Sequence, residues 1–556
     1  MRVRGNHLGG HRRGEHMYSG PGAVADRAAP GAARSDRPGA PATAPGRWWS
    51  EPYLWVAVLV CAALAPVCVY LPWGGDLGIH LATVGRLRHS LSDPGNPMLA
   101  EDTPSAYYSP WTVALALLGR ATGWSTMHVL GAGALFALPL LLLGVYRFTR
   151  ALTPARWAPV AALLCFTLLW GDTPWSWSGF MSLVSWIQSL PYPSTVAWGI
   201  AFNLLAFVPG VQRRGWRIGE SLLLGGGSAV LLLVHQFTGA LAMVALAAFV
   251  AADWRAMDRS SRLRLGAGAA LMLLVLALWP YYSVFQLSDQ ATLDSMHHAL
   301  YRMLPVKVGL AALGLPALYA RRRRQRLDPL VLLFAVCALA FGYGYGSGHY
   351  SYGRFEPGVM LPLQFALAIE VTERWQQGWV RFALVPLTTA ALLAGAAAQW
   401  TALGYVHQAA SALVHRRSAA RYQADTGLAW ITRYTRPGQV VMTDYPGWVL
   451  APAYGRYVVA SPYPDPFVKD EGARIAATLA FFNCTTTQSR LATLAAYHAD
   501  WVIAPRALGL TDSPYLHKVA NAPGWTELFR VTLPARAGGA GAAKTGTGTG
   551  TLRRPG

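Results

Sequence analysis

The 556-residue sequence predicts an α-helical polytopic membrane protein of about eleven transmembrane helices, with a small extracytoplasmic α/β domain at its C-terminal end. Three observations point there. Hydrophobic residues make up 53% of the chain and charged residues only 13%, against about 25% charged in a soluble domain. Apolar runs of roughly span length recur between residues 53 and 399. Beyond residue 400 the pattern changes to short helix-like and strand-like segments in alternation.

Residues 1–50 are rich in Gly, Ala, Pro and Arg without an apolar core of their own, which predicts a disordered cytoplasmic tail. The first apolar run lies too far along the chain, and is too long, for a cleaved signal peptide, so it is expected to stay as a signal anchor. Within a membrane domain of residues 51–399, the candidate spans are 53–72, 126–146, 154–171, 195–211, 219–235, 237–252, 265–284, 304–320, 328–346, 357–372 and 380–399. Only HQFTG (235–239) separates two of these runs. SPWTVALALLGRAT (109–122) is apolar but short, which suits an interfacial or re-entrant helix.

The net charge is +21, and all but four of the 47 basic residues are arginine. With so much Ala and Gly, that bias suggests a high-GC bacterial genome. A basic balance is one signature of nucleic-acid binding, but here the arginines sit in short loops between apolar runs. With the N-terminus in the cytoplasm, the loops 146–156, 212–217, 254–264, 321–326 and 373–381 all fall on the cytoplasmic side and all are Arg-rich. The first outer loop (73–125) and the loops 172–194, 235–238, 285–303 and 347–356 fall outside and are Arg-poor. This is the positive-inside pattern of a multi-pass bacterial plasma-membrane protein, with no nucleic-acid partner. An odd number of spans places the α/β domain (400–536) and a low-complexity tail (537–556) outside. Cys61, Cys68, Cys165 and Cys337 lie in apolar runs and Cys484 stands alone, so no zinc or disulfide framework is read.

Four outer segments gather polar residues. WGGDLGIHLATVGRLRH (73–89) carries Asp76, His80, Arg86, Arg88 and His89, and the same loop continues to Glu101 and Asp102. Apolar positions from Leu77 to Leu91 recur at helical spacing, which predicts an amphipathic helix lying on the membrane. Asp76 either caps that helix, where its dipole favours a carboxylate, or faces a ligand that Gly74 and Gly75 allow to approach. The second segment (172–194) and its continuation hold Trp175, Trp177, Trp186 and Trp198, as an interfacial belt or a platform for a sugar or lipid chain. The third (288–303), with Asp289, Asp294, His297, His298 and Arg302, reads as a solvated loop whose adjacent histidines lack metal-site spacing. The fourth, GYGYGSGHYSYGRFEPG (342–358), holds His349, Tyr352, Arg354 and Glu356. Arg354 suits bidentate phosphate binding, or pairs with Glu356 in a glycine-softened loop. The chain has no GxxxxGK[ST], HExxH or GxSxG. Work at the outer face would draw on an activated, lipid-linked substrate rather than ATP.

This layout resembles the GT-C superfamily of polyprenyl-phosphate-sugar-dependent glycosyltransferases, among bacterial members of the protein-mannosyltransferase or arabinofuranosyltransferase kind. Asp76 in GGDLGIH matches the position of the first acid in their first outer loop, although a contiguous acidic pair is missing there. RFEPG (354–358) resembles the late Arg-containing loop that meets the donor phosphate in some members. The resemblance implies a GT-C-like membrane domain and inverting transfer from a polyprenyl-phosphate-linked sugar to a cell-envelope glycan, lipid or protein. In that reading Asp76 is the catalytic base. Arg354, with His349 or Tyr352, neutralises the leaving phosphate, and His80 is a further substrate-binding residue. Glu101 and Asp102 either orient the acceptor or hold a divalent cation, magnesium or manganese. The competing readings are a lipid or glycan transporter or flippase, and a non-catalytic envelope assembly protein. Mid-span ionisable residues and inverted repeats, the marks of a transporter, are not seen.

Overall fold

The computed structural model describes residues 50–288, 291–415, 428–444, 447–483, 486–521 and 526–533. The expected tails, 1–49 of the first and all of 537–556, lie outside the described residues, as do Asp289 and Cys484. The membrane part begins with α1 (Pro52–Val69), α2 (Leu77–His89), α3 (Pro110–Thr122), α4 (Thr126–Leu152), α5 (Ala158–Leu168) and α6 (Leu183–Gln188). It continues through α7 (Pro193–Arg214), α8 (Ile218–Val234), α9 (Gln236–Ala252), α10 (Arg259–Ala277), α11 (Ala291–His297), α12 (Leu304–Val308) and α13 (Leu315–Arg324). It ends with α14 (Pro329–Ser347), α15 (Glu356–Glu373), α16 (Val385–Ala398) and α17 (Ala402–Val414). Several starts carry their signals in the sequence. Ser109 and Thr112 form a reciprocal capping box on α3, and the Asp328 carboxylate accepts from Leu330 and Val331 N–H at the start of α14.

Every expected span holds helix, but the count of eleven is not supported. Among the described residues six helices are long and apolar enough to cross a membrane, or up to seven if a bent pair is one span. The shortfall has physical causes. Helices α5, α8 and α9 have 11, 17 and 17 residues, and 17 residues rise only about 25 Å against a hydrocarbon core of about 30 Å. The run 304–320 is broken by a 3-10 stretch, and its bent pair turns by 72°. Helix α15 carries Glu356, Glu370 and Glu373 and is almost wholly buried among its neighbours.

The C-terminal part holds β1 (Val440–Thr443), α18 (Gly447–Leu450), β2 (Tyr457–Val458), α19 (Glu471–Asn483), α20 (Thr487–Ala496), β3 (Trp501–Pro505), β4 (Leu516–Asn521) and β5 (Thr526–Val531). The five strands form one mixed sheet in the order β2-β1-β3-β5-β4, with β1 parallel to β2 and β3 and the rest antiparallel. One apolar cluster joins strand residues to Phe481 of α19 and Leu494 of α20. The other joins Val441, Val458, Ile503 and Leu528 to Ile79, Met98 and Leu99 of the segment 73–125. The sheet therefore closes its second cluster with residues from far earlier in the chain.

This changes the reading of α2. Leu77, Leu81, Val84 and Leu87 pack into the membrane-domain core, as the helical spacing predicts. The opposite side does not lie on a membrane surface, because the C-terminal domain covers it. Residues 77–84 are all buried, and Arg86 sits over the Tyr457 ring at 3.8 Å. Gly78 permits the contact: a Cβ there would meet the Val449 carbonyl oxygen at 1.9 Å. Gly78→Ala is therefore expected to push the two parts of the chain apart, at about 1–3 kcal/mol for an overpacked core. The measurements are the unfolding temperature and limited proteolysis of the C-terminal domain. Gly85→Ala on the same helix, where a Cβ meets nothing within 4 Å, is the control and should stabilise slightly. Equal behaviour of the two variants would refute the docking role of Gly78.

Candidate functional site

The chain leaves α1 through Trp73, which stacks on Tyr454, and turns at Gly75, whose φ of +49 lies in the left-handed region. The Tyr192 hydroxyl donates to the Gly74 carbonyl at 2.6 Å. This turn delivers Asp76 to the first position before α2. Its side chain makes no capping hydrogen bond to the helix, so the capping alternative falls away. The carboxylate instead shares a cavity wall with Tyr463, whose hydroxyl favours its ionised form.

Asp76 opens onto a cavity of about 860 Å³, within the usual range for small-molecule sites. Arg354 lines the same cavity, from the 3-10 turn Tyr350–Phe355 that precedes α15. Its guanidinium is held on several sides. Nη1 donates to the Ser178 carbonyl at 2.7 Å and Nε to His297 Nε2 at 2.9 Å. The Phe237 and Trp177 rings lie 4.3 and 5.4 Å from its central carbon. Because His297 Nε2 accepts, this hydrogen-bond network assigns its proton to Nδ1, 3.2 Å from Ser351 Oγ. The remaining N–H groups of the Arg354 fork have no hydrogen-bond partner among the described residues.

Burial raises the proton affinity of Asp76, while the Tyr463 hydroxyl and the Arg354 charge work against it. Burial lowers Arg354 to about 10, opposed by Asp76, so the guanidinium stays charged at neutral pH. His80, one turn along α2, is pushed down to about 3 by burial and is neutral. Its ring stands 4.7 Å from that of Tyr192.

Of the residues singled out in the sequence, Asp76, His80, His349, Tyr352 and Arg354 all line this cavity. His349 stands at an exposed edge, 61% accessible, 3.5 Å from Asp294. Glu101 and Asp102 are not brought there. Asp102 is exposed, and Glu101 is ion-paired with Arg474 of α19. Glu356 does not pair with Arg354: both its carboxylate oxygens are buried without a hydrogen-bond partner among the described residues. Segment 288–303 is not a solvated loop where it is described. His297 is fully buried, and Asp294 accepts the Ser351 N–H at 2.7 Å. The tryptophans do not form one interfacial belt either. Trp186 and Trp198 are buried in the core, and Trp177 lines the cavity.

Tyr107, Gln188, Tyr192, His235 and Tyr463 also line the cavity and were not read as site residues. His235 offered a weak signal, a lone imidazole in the short break between two apolar runs. It caps α9, with Nδ1 accepting from Thr238 N–H. Tyr463 offered another, a tyrosine set among prolines in SPYPDPF (461–467).

A magnesium or manganese ion finds no fitting donor set. Among the described residues no three His, Cys, Asp or Glu side chains group to hold a metal. Asp76 faces a guanidinium, and the acids that sequence suggested for the ion point elsewhere. A hard cation needs several oxygen ligands around one point.

No protein-family model matches the chain, and no curated protein matches it. Among solved structures, the arabinofuranosyltransferase AftD from mycobacteria is similar over 86% of this chain and 40% of its own, at 16% identity and a TM-score of 0.52. A mutant of that enzyme aligns over 87% and 42%, at 15% identity and a TM-score of 0.51. An oligosaccharyltransferase of Archaeoglobus fulgidus, tethered with an acceptor peptide, aligns over 87% of this chain and 75% of its own, at 13% identity and a TM-score of 0.48. The chain thus spans about two fifths of the length of AftD. At such identities the likeness is one of fold: a helical membrane domain with a small C-terminal sheet.

Proposed function

We propose that this protein is an integral membrane glycosyltransferase that moves a sugar from a polyprenyl-phosphate donor to a cell-envelope acceptor on the outer face of the plasma membrane. The observation that carries this reading is the single cavity in which Asp76 and Arg354 meet. They come from distant parts of the chain and supply the opposite charges that such a transfer needs.

The chemistry follows from their positions. Asp76 takes the proton of the acceptor hydroxyl. The acceptor oxygen forms a bond to the anomeric carbon from the side opposite the phosphate. The bond from that carbon to the phosphate oxygen breaks, and the electron pair leaves with the polyprenyl phosphate. Arg354 is already fixed in direction by Ser178 and His297, so it meets the developing charge without reorganising. Neutral His80 and the rim residues His349 and Tyr352 contact the sugar or the phosphate. The outer orientation is supported by the other end of the bundle, where the Arg-rich loops meet. Arg324 and Arg374 pair with Glu370, Thr153 bonds Glu373, and Arg264 donates to the Trp216 carbonyl. An Arg-rich end belongs in the cytoplasm, which leaves the cavity outside.

The test is sugar transfer in membranes containing the protein, with a panel of radiolabelled polyprenyl-phosphate sugars. Asp76→Asn at normal expression is expected to lower kcat by about 10²–10⁴-fold, as for loss of a general base. Transfer undiminished in that variant would refute the reading, and a transporter or assembly protein would be the better account. Arg354→Ala should lose about 10²–10³-fold. Arg354→Lys should not restore it, because a lysine cannot make two directed contacts while also donating to His297 and Ser178.

The pH profile gives an independent check. The base works only as the carboxylate, so transfer rises with pH through the Asp76 titration. Burial places that titration above the ordinary value of about 4, and the acid limb should lie correspondingly high. A limb at about 4 in the wild type would argue against Asp76 as the base. Orientation is read by reporter fusions after Arg324 and at Gly556, which should fall on opposite sides of the membrane. Same-side signals would overturn the topology.

A further inference from the structure

The loop that brings Tyr463 into the cavity belongs to the C-terminal domain, between β2 and α19. Tyr463, Pro464 and Pro466 form part of the cavity wall. The loop is tied down on both sides of the tyrosine. Ser461 Oγ donates to the Tyr463 carbonyl at 2.7 Å. The Asp465 carboxylate accepts from Asn96 Nδ2 and from Phe467 N–H, each at 3.1 Å. Further anchors join the same two parts of the chain: Val458 N–H donates to the Met98 carbonyl at 2.8 Å, and Glu101 pairs with Arg474. Two prolines flank the tyrosine and narrow the backbone further. A side chain held this firmly, on the same cavity wall as Asp76 and favouring its ionised form, is placed rather than incidental.

We propose that Tyr463 is a positioning residue for sugar transfer, donated by the C-terminal domain, whose hydroxyl holds one oxygen of Asp76 and leaves the other aimed at the acceptor hydroxyl. This rests on the glycosyltransferase reading above, in which Asp76 is the base. The groups facing Asp76 define what the hydroxyl contributes. Arg354 comes from the turn before α15, Tyr107 from the first outer loop, Tyr192 from the residue before α7, and neutral His80 from α2 itself. The Arg354 charge favours the Asp76 anion, and the reaction asks it to face the donor phosphate as well. The Tyr192 hydroxyl is engaged with the Gly74 carbonyl. Tyr463 is thus the neutral hydroxyl that favours the Asp76 anion. A phenol hydrogen bond stabilises the ionised form over the protonated form. Removing it should raise the proton affinity of Asp76, and leave its carboxylate less well directed.

The experiment uses the full-length protein in nanodiscs. Tyr463→Phe removes one oxygen and keeps the ring in the wall. The carboxylic C=O infrared band of Asp76, identified by its disappearance in Asp76→Asn, is titrated without any substrate. Its midpoint in Tyr463→Phe should lie about one pH unit above wild type, a tenfold change in proton affinity. Transfer from the donor found in the panel should show kcat about tenfold lower, the acid limb moved up by the same unit and donor KM within about twofold of wild type. A merely structural role would lower the amount of folded protein without moving either midpoint. An unchanged band midpoint with unchanged kcat overturns the proposal. The two readings fail separately. A shifted band with transfer intact in Asp76→Asn would retain the Tyr463–Asp76 link and remove Asp76 as base. An unshifted band with transfer abolished in Asp76→Asn would retain the enzyme and remove Tyr463.

Discussion

A carboxylate and a guanidinium share a cavity walled by tyrosines, serines and histidines together with Trp177 and Phe237, and the rest of the site is arranged around the cost of that placement. Removing either charge from water is expensive unless fixed partners replace the solvent. Arg354 is given a carbonyl, a neutral imidazole nitrogen and two ring faces. Asp76 is given a phenol. To supply these, the turn after α1, the loop before α6, the break between α8 and α9, the end of α11, the turn before α15 and the loop after β2 all converge on one point. Short and broken helices there follow from the same need: residues 178, 237 and 297 reach the guanidinium because the chain leaves regular helix nearby. His297 illustrates how tightly such a site is specified. A protonated imidazole could not accept from Arg354 Nε, so the guanidinium keeps its direction only while His297 stays neutral.

The segment between α1 and α4 has a second role that the charges alone do not require. Ile79, Met98 and Leu99 enter the apolar cluster of the C-terminal sheet, and Asn96 organises the segment by accepting the N–H groups of Met98 and Leu99 while donating to Asp465. One segment therefore carries Asp76 into the cavity and completes the core of the domain that supplies Tyr463. The sheet and the first loop stabilise each other, and damage to either is felt at Asp76. Because the contacts are apolar and backbone-mediated as well as ionic, screening by salt weakens only part of the joint. The Glu101–Arg474 pair, with Glu101 40% exposed, belongs to the weaker part.

Asp76, His80 and Arg354 were legible because charged or polar side chains at the outer ends of apolar runs are costly enough to need a reason. The alternation after residue 429 was legible for a different cause: strand and helix periods differ, and β1, β2 and β3 fall in apolar segments bounded by Pro and Gly. Partnership was not legible. Glu101 looks the same in sequence whether it faces a substrate or Arg474, which lies hundreds of residues on. His297 and His298 were read together as solvated, yet neighbouring positions point to different sides: His297 turns inward to Arg354, and the His298 ring lies 4.5 Å from that of Tyr350 at a 49° tilt. The glycines before Asp76 were read as room for a ligand. Gly75 in fact serves a left-handed turn, and Gly74 lies against Gln188. Span number was less legible, because apolarity measures what avoids water, and a helix buried among other helices, such as α15, is apolar for that reason as well.

On the proposed reading, donor binding changes the electrostatics of the base. With the cavity empty, the Arg354 charge favours the Asp76 anion. A donor phosphate seated on the free edge of the guanidinium brings negative charge into the same low-dielectric space, so the positive field felt by Asp76 falls and its affinity for a proton rises. A carboxylate that holds a proton more tightly is a stronger base at the moment the acceptor hydroxyl must release one. The same change carries a risk, since a base raised too far is already protonated before the acceptor arrives. A fixed neutral donor limits that risk. Tyr463 is not neutralised by the phosphate, so its hydrogen bond supports the anion in both states. Division of labour between one cation that the substrate engages and one hydroxyl that it does not would let donor binding strengthen the base without silencing it.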